Sequence, residues 1–155
     1  MEYLVRAARV TDVDRVVALS GDSVPMSRGE SQLAAADLMR QMVYLPQATI
    51  IVAEARRVVV GGAILALRPS VQAGGYVGVV DLLVVDSEHD ADRITEALLG
   101  ELLRSAGNKG CAVVEAIRPE DDTVFACWER MGFGEAGPRM QRIVTAAGAT
   151  VRRPS

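Results

Sequence analysis

Apolar residues in the first third of the chain recur with the period of an amphipathic helix. In TDVDRVVALS, residues 11–20, the valines fall on one helical face and a threonine or aspartate at the start serves as N-cap. A second helix is predicted at about residues 31–45, where Pro46 stops it. A short strand at residues 2–9 precedes both, so the pattern predicts a strand–helix–helix opening.

The spacing of apolar residues then changes to that of strands. TIIVAEA and VVVGGAILAL are β-branched and apolar and are separated by Arg56-Arg57, which predicts a β-hairpin. The Gly61-Gly62 pair in its second strand indicates a bulge or a close approach of backbone, and not a phosphate loop. After a predicted loop at 68–75, the nearly continuous apolar run YVGVVDLLVV (76–85) fits a central strand covered on both faces.

The second half alternates helices and strands. The segment VVDSEHDADRITEALL (84–99) leads from the apolar strand directly into a helix. A strand at 111–117 and a helix at 120–131 follow, with acidic residues in the first turn of the helix. The last strand is predicted at PRMQRIV (138–144), with one more short strand near 133–136. This order predicts an α/β fold with a mixed, mostly antiparallel sheet flanked by helices.

Length, charge and hydropathy limit the classes of protein to which this chain can belong. A chain of 155 residues that is 50% hydrophobic has the size of one domain with its own core. A net charge of −3 gives no electrostatic reason to expect binding to nucleic acid or to an anionic membrane. No apolar stretch reaches about 20 residues, and the start MEYLVRAARV lacks the apolar core of a signal peptide. We therefore expect a cytoplasmic protein that does not cross a membrane.

The cysteines do not indicate a metal site. Cys111 and Cys127 are the only cysteines, and the single histidine, His89, cannot complete a ligand cluster with them. We expect both cysteines to be reduced thiols. No metal is therefore predicted.

The order of elements and three local patterns resemble the GCN5-related N-acetyltransferases (the GNAT family). The patterns are RAARVTDVDRVVAL, DLLVVDSEHDADRITEALL and CWERMGFGEAG, the last of which is similar to the LYxKxGFxxxG segment of the family. The resemblance covers roughly residues 3–145, which we take as a GNAT-like domain. Residues 146–155 form a small, polar C-terminal tail.

The resemblance implies a function and a donor. Family members bind acetyl-CoA in a V-shaped opening between the strands that correspond to 77–85 and 111–117. The pantetheine arm pairs with the first strand, and the pyrophosphate lies on the start of the next helix. A base deprotonates an amine, the amine attacks the thioester directly, and an acid protonates the leaving thiolate. The implied acceptor is a small-molecule amine or a peptide N-terminus, and sheet edges offer a route to a homodimer.

The donor turn departs from the Gln/Arg-x-x-Gly-x-Gly/Ala pattern of the family. A gapless alignment places Asp90 on the basic position, Arg93 on the first glycine and Thr95 on the second. Glycines let a phosphate reach the N–H groups of a helix start, so side chains at 93 and 95 are expected to crowd that route. The resemblance assigns donor contacts to these residues: Leu83, Val84, Val85, His89, Asp90, Ala91, Asp92, Arg93, Ile94, Thr95 and Trp128.

Two interpretations of this turn stay open. Asp90 or Asp92 can cap the helix and occupy the N–H groups that a phosphate would otherwise bind. Alternatively, Arg93 and His89 hold a phosphate in an unusual but working site.

The candidate catalytic residues are two carboxylates. Asp81 interrupts the apolar strand, and burial would raise its pKa towards that of a general base; a solvated or arginine-paired strand residue is the alternative. Glu115, on the neighbouring strand, is a second candidate. Trp128 occupies the position where the family commonly has a tyrosine that serves as the general acid. An indole cannot protonate a thiolate. Asp121 is expected to cap the last helix.

These features favour two hypotheses. One is an N-acyltransferase that uses acetyl-CoA or another acyl-CoA. The other is a GNAT-fold protein that has lost catalysis and acts as a binding, regulatory or partner subunit.

Overall fold

The computed structural model describes residues 2–21 and 32–143. They form one mixed sheet with helices on both faces, as the sequence predicts. The elements, in chain order, are β1 (Leu4–Ala7), a 3-10 turn (Val10–Asp12), α1 (Val13–Ser20), α2 (Gln32–Met42), β2 (Ala48–Ala55), β3 (Val58–Ser70), β4 (Gly75–Val85), α3 (Ala91–Asn108), β5 (Cys111–Ala116) and α4 (Asp122–Arg130). The strand order is β1-β2-β3-β4-β5, and every neighbouring pair is antiparallel except β4–β5, which is parallel.

The paired glycines of β3 explain how helices approach both faces of the sheet. A Cβ atom on Gly61 would lie 2.7 Å from Ile94 Cγ2 of α3, and one on Gly62 would lie 3.0 Å from Val16 of α1. The prediction of a close backbone approach at this pair is therefore confirmed. One core cluster is built around α3 and Trp128, and the other around α1 and α2.

An ionic cluster joins β1, the 3-10 turn and β2. The Arg6 guanidinium bonds to Asp12 at 2.8 Å and to Glu54 at 3.0 Å, and the Arg9 backbone N–H donates to Asp12 at 2.7 Å. The Arg6 hydrogen bond holds the pKa of the buried Asp12 carboxyl below its usual range, and both carboxylates raise the pKa of Arg6. Since a buried carboxylate is costly when unpaired, this cluster fixes β1 against β2.

Several predicted boundaries shift. The predicted loop at 68–75 is shorter, because β3 continues to Ser70 and β4 begins at Gly75. The helix predicted at 31–45 ends at Met42, and the helix predicted from 120 begins at Asp122 because Asp121 caps it, as expected.

The two strands predicted after α4 are wrong for the described residues. No strand is assigned between residues 133 and 143, and Val144, the last residue of the predicted strand 138–144, lies outside the described part. Gly132 and Gly137 adopt positive φ angles of 95° and 84°, and Pro138 has no N–H to donate to a ladder. Met140 and Ile143 are exposed instead of lying in a paired strand.

Candidate active site

β4 and β5 separate halfway along β4. Their parallel pairing runs from Tyr76 opposite Cys111 to Val80 opposite Ala116 and stops there. β4 continues to Val85, paired on its other side with β3. Within the described ranges, residues 81–85 thus present one open backbone edge, as the predicted V-shaped opening requires.

A β-bulge lies where the two strands part. Ile64 pairs with Leu82 and Leu65 pairs with Val80, so Asp81 is the extra residue on β4. A bulge bends its strand and increases the local twist, which accounts for the divergence. The Asp81 side chain is exposed and has no hydrogen-bond or ion-pair partner among the described residues. The burial expected for this carboxylate is therefore absent, and the solvated-groove alternative describes its position.

Glu115 has a partner, unlike Asp81. It lies opposite Val79, just before the bulge, and its carboxylate is 3.3 Å from the Arg68 guanidinium. Both side chains are more than half exposed, so the pair adds little stability.

The turn after β4 contains no glycine and is stabilised by Asp86, its first residue. One oxygen of Asp86 accepts the Glu88 N–H at 3.0 Å, and its backbone carbonyl accepts the His89 N–H at 3.1 Å. The other carboxylate oxygen is 3.0 Å from the Arg15 guanidinium of α1. The turn is thereby closed on itself and tied to the opposite face of the sheet.

The next aspartate caps α3. The Asp90 side chain accepts the Arg93 backbone N–H at 3.2 Å, and its carbonyl accepts the Ile94 N–H at 3.0 Å. Of the two carboxylates proposed as caps, Asp90 has the role. The backbone N–H groups of Ala91 and Asp92 have no acceptor among the described residues, so part of the helix start remains open to a ligand.

Arg130 of α4 offsets the acidity of this helix start. Its guanidinium lies 3.4 Å from the Asp92 carboxylate and 3.4 Å from Glu96, one turn further along α3. Asp92 therefore carries an ion pair between helices, which moderates the negative charge near the open N–H groups.

Tyr3, which sequence reasoning missed, contacts His89 and Asp90 of the turn and Arg93 in the first turn of α3. Its hydroxyl oxygen accepts the Asp90 backbone N–H at 3.2 Å. Its ring meets the His89 ring edge-on at 6.1 Å between centroids and lies 5.6 Å from the Arg93 guanidinium carbon. Because Tyr3 precedes Asp90 by 87 residues, no local sequence signal indicates these contacts.

Other predicted donor residues lie in the core. Ile94 and Thr95 of α3 are buried, and Leu83 and Val85 pack partly against the cluster around α3. Val84 is buried on the opposite face of the sheet, in the cluster around α1 and α2. The expectation that Thr95 crowds the phosphate route is therefore wrong, because its side chain turns inward; Arg93 remains exposed. Ile94 offers no N–H, since Asp90 accepts it.

The last helix contributes core residues. Trp128 is buried, with its ring edge-on to Phe133 at 5.0 Å between centroids. Cys127 is buried too, its sulfur is 3.7 Å from the Asp92 carbonyl oxygen, and burial raises the pKa of its thiol. Both cysteines are free thiols.

In the described part of the chain, no helix has both the length and the apolarity that a bilayer crossing demands. Within those same residues, histidine, cysteine and carboxylate side chains form no group of three placed to hold a metal ion.

Comparisons with known proteins match this architecture. Residues 14–133 match the family model described as "Acetyltransferase (GNAT) family". No curated protein is significantly similar in sequence. Ribosomal-protein-alanine N-acetyltransferase from Brucella melitensis biovar Abortus 2308 is 16% identical with a TM-score of 0.71, covering 94% of this chain and 100% of that one.

Two further solved structures share the fold at low identity. Glucosamine-6-phosphate N-acetyltransferase from Arabidopsis thaliana has a TM-score of 0.72 at 16% identity, covering 92% of this chain and 99% of that one. A transcriptional regulator from Bacillus halodurans C-125 has a TM-score of 0.79 at 15% identity, covering 92% of this chain and 100% of that one.

Proposed function

The chain belongs to the GNAT acetyltransferase family, and from that membership we propose that it is an N-acetyltransferase that transfers an acetyl group from acetyl-CoA to an amine. The observation that carries the proposal is the open edge of β4 at residues 81–85, which leads directly to the unpaired N–H groups of Ala91 and Asp92. An extended pantetheine arm has amides that can bond to a strand edge, and a pyrophosphate can accept from helix N–H groups.

The residues present fit the donor in part. The strand edge and the two open N–H groups depend on backbone only, and Arg93 is an exposed cation beside them. Against the fit, the Asp90 carboxylate occupies the Arg93 N–H and brings negative charge to the place of a phosphate. Each charge at a helix start contributes about 0.3–1 kcal/mol, so we expect weakened donor binding and not its loss.

Asp81 is the residue we propose as general base. It is an exposed carboxylate without a partner among the described residues, at the bulge where the strands part. Asp81 accepts the proton of the amine, directly or through water, as the N–C bond forms and the thioester C–S bond breaks. The leaving thiolate takes its proton from water, because Trp128 is buried and its indole does not ionise. Glu115 stays the second candidate.

A second candidate function has its own support. The Asp90 cap satisfies part of the helix start without any ligand, as a member that no longer binds the donor would show. Such a protein would act as a binding, regulatory or partner subunit.

The test is turnover of acetyl-CoA with an amine panel, followed through release of the CoA thiol. The panel includes peptide α-amines and amino sugars, since two structural neighbours carry such acceptors in their names. We expect amine-dependent turnover, and Asp81→Asn should lower kcat/KM by about 10²-fold or more. Glu129→Gln, an exposed α4 carboxylate, is the charge-matched control. Absence of turnover with every amine, whether or not acetyl-CoA binds, would favour the second function.

A further inference from the structure

Tyr3 lies one residue before β1, and none of the donor-site predictions includes it. It is half-buried against the α3 core cluster and reaches the turn between β4 and α3 through the three contacts described above. We propose that Tyr3 is a positioning residue of the donor site, which fixes this turn and holds Arg93 ready for the donor pyrophosphate. This inference rests on the proposed function.

The contact with Arg93 restricts a side chain that would otherwise move freely. Arg93 is exposed, and no carboxylate pairs with it among the described residues. Its guanidinium lies 5.6 Å from the centre of the Tyr3 ring, within the range at which an aromatic face attracts a cation. A preorganised cation loses less conformational entropy when it binds an anion. Tyr3 thereby holds a positive charge at the start of α3, where the turn lacks the basic residue of the family pattern.

The hydroxyl group of Tyr3 adds a second interaction with the turn. Tyr3 Oη accepts the Asp90 backbone N–H at 3.2 Å, which fixes the turn one residue before the open N–H groups of α3. A phenol accepts and donates at the same time. The Tyr3 O–H proton has no acceptor among the described residues, so it remains available for a phosphate oxygen.

The test separates positioning from folding by the choice of ligand. Acetyl-CoA carries the pyrophosphate, whereas S-acetyl-pantetheine has the same acyl arm without it. We would measure Kd for acetyl-CoA by calorimetry and for S-acetyl-pantetheine by NMR titration. Tyr3→Phe should raise the Kd for acetyl-CoA about threefold to tenfold, because one hydrogen bond to the turn and one to phosphate are lost. Tyr3→Leu, which also removes the ring, should raise it further.

The Kd for S-acetyl-pantetheine should stay within about twofold of the wild-type value in both variants, since that ligand does not reach the turn. Tyr44→Phe is the matched control, because Tyr44 is 77% exposed and its side chain has no partner among the described residues. An equal rise for both ligands, or an unchanged Kd for acetyl-CoA in Tyr3→Leu, would overturn the role of Tyr3 alone. Failure of the wild-type protein to bind acetyl-CoA would overturn the proposed function together with this inference.

Discussion

The carboxylate of Asp90 accepts a hydrogen bond from the backbone N–H of Arg93, with 3.2 Å between oxygen and nitrogen. α3 is therefore capped by its own chain at the position where a donor pyrophosphate would bind. The carboxylate stabilises the helix and would repel a pyrophosphate, so substitutions there should separate the two effects.

Asp90→Asn is the substitution that separates them. Asparagine caps a helix as well as aspartate does, so the free energy of unfolding should change by less than about 0.5 kcal/mol. Loss of the negative charge should lower the Kd for acetyl-CoA about threefold. Asp90→Ala, which removes the cap as well, should cost about 1 kcal/mol of stability. Chemical denaturation and calorimetry measure both quantities, and weaker acetyl-CoA binding by Asp90→Asn would refute the antagonism.

Gly61→Ala should destabilise the fold by about 1–3 kcal/mol. The new Cβ would lie 2.7 Å from Ile94 and 3.2 Å from Leu98, so α3 must move away from β3. Gly107→Ala is the control, because it lies in α3 with nothing within 4 Å, and it should stabilise by up to about 1 kcal/mol. Thermal unfolding of both variants measures the change in stability. Equal changes would show that α3 does not approach β3 so closely.

Asp12 should contribute to stability in a defined pH range. Its pKa is lower in the folded protein because Arg6 bonds to the ionised form. The contribution is therefore complete above the unfolded pKa of about 3.9 and is lost as the pH falls through the folded value. Asp12→Asn should lower stability at neutral pH by about 1–3 kcal/mol and flatten the acid limb of the stability curve.

Asp14→Asn is the matched control for Asp12→Asn. Asp14 also forms an ion pair, with Arg40, but its side chain is 79% exposed. The substitution should cost less than about 1 kcal/mol. An unchanged acid limb in Asp12→Asn would show that the Arg6 cluster does not control the acid transition.

The two thiols should differ in their reactivity. Burial raises the pKa of Cys127, and the thiolate is the form that reacts with alkylating reagents. Cys111 is only partly buried. At about pH 8 the native protein should show one fast-reacting thiol and one that reacts only after unfolding. Cys111→Ser should remove the fast phase, whereas persistence of that phase would place Cys127 outside the core.

Residue periodicity and residue type were sufficient to predict some of these features from the sequence. Residue periodicity predicted every described α-helix and strand through α4. Residue type predicted the cap by Asp121 and left Asp90 and Asp92 as alternatives for α3, of which Asp90 is the cap. The strand at 138–144 was wrong because an apolar pattern does not supply a pairing partner, and the glycines before it turn the chain.

Long-range contacts could not be predicted in the same way. The bulge at Asp81 is a property of the register between two strands, and the Arg68–Glu115 pair crosses the strand that separates its members. The contact of Tyr3 with Asp90 joins residues from opposite halves of the chain. Each depends on how the sheet is assembled and has no trace in local sequence.

We propose that acetyl-CoA binds along the open edge of β4 and at the start of α3. Amide hydrogen exchange, measured with and without saturating acetyl-CoA, tests it most directly. We predict slower exchange at amides of residues 81–85 that face the opening and at Ala91 and Asp92, with little change in β1 and β2. Binding that leaves both segments unprotected, or no binding at about 1 mM acetyl-CoA, would show that the donor does not bind at this edge.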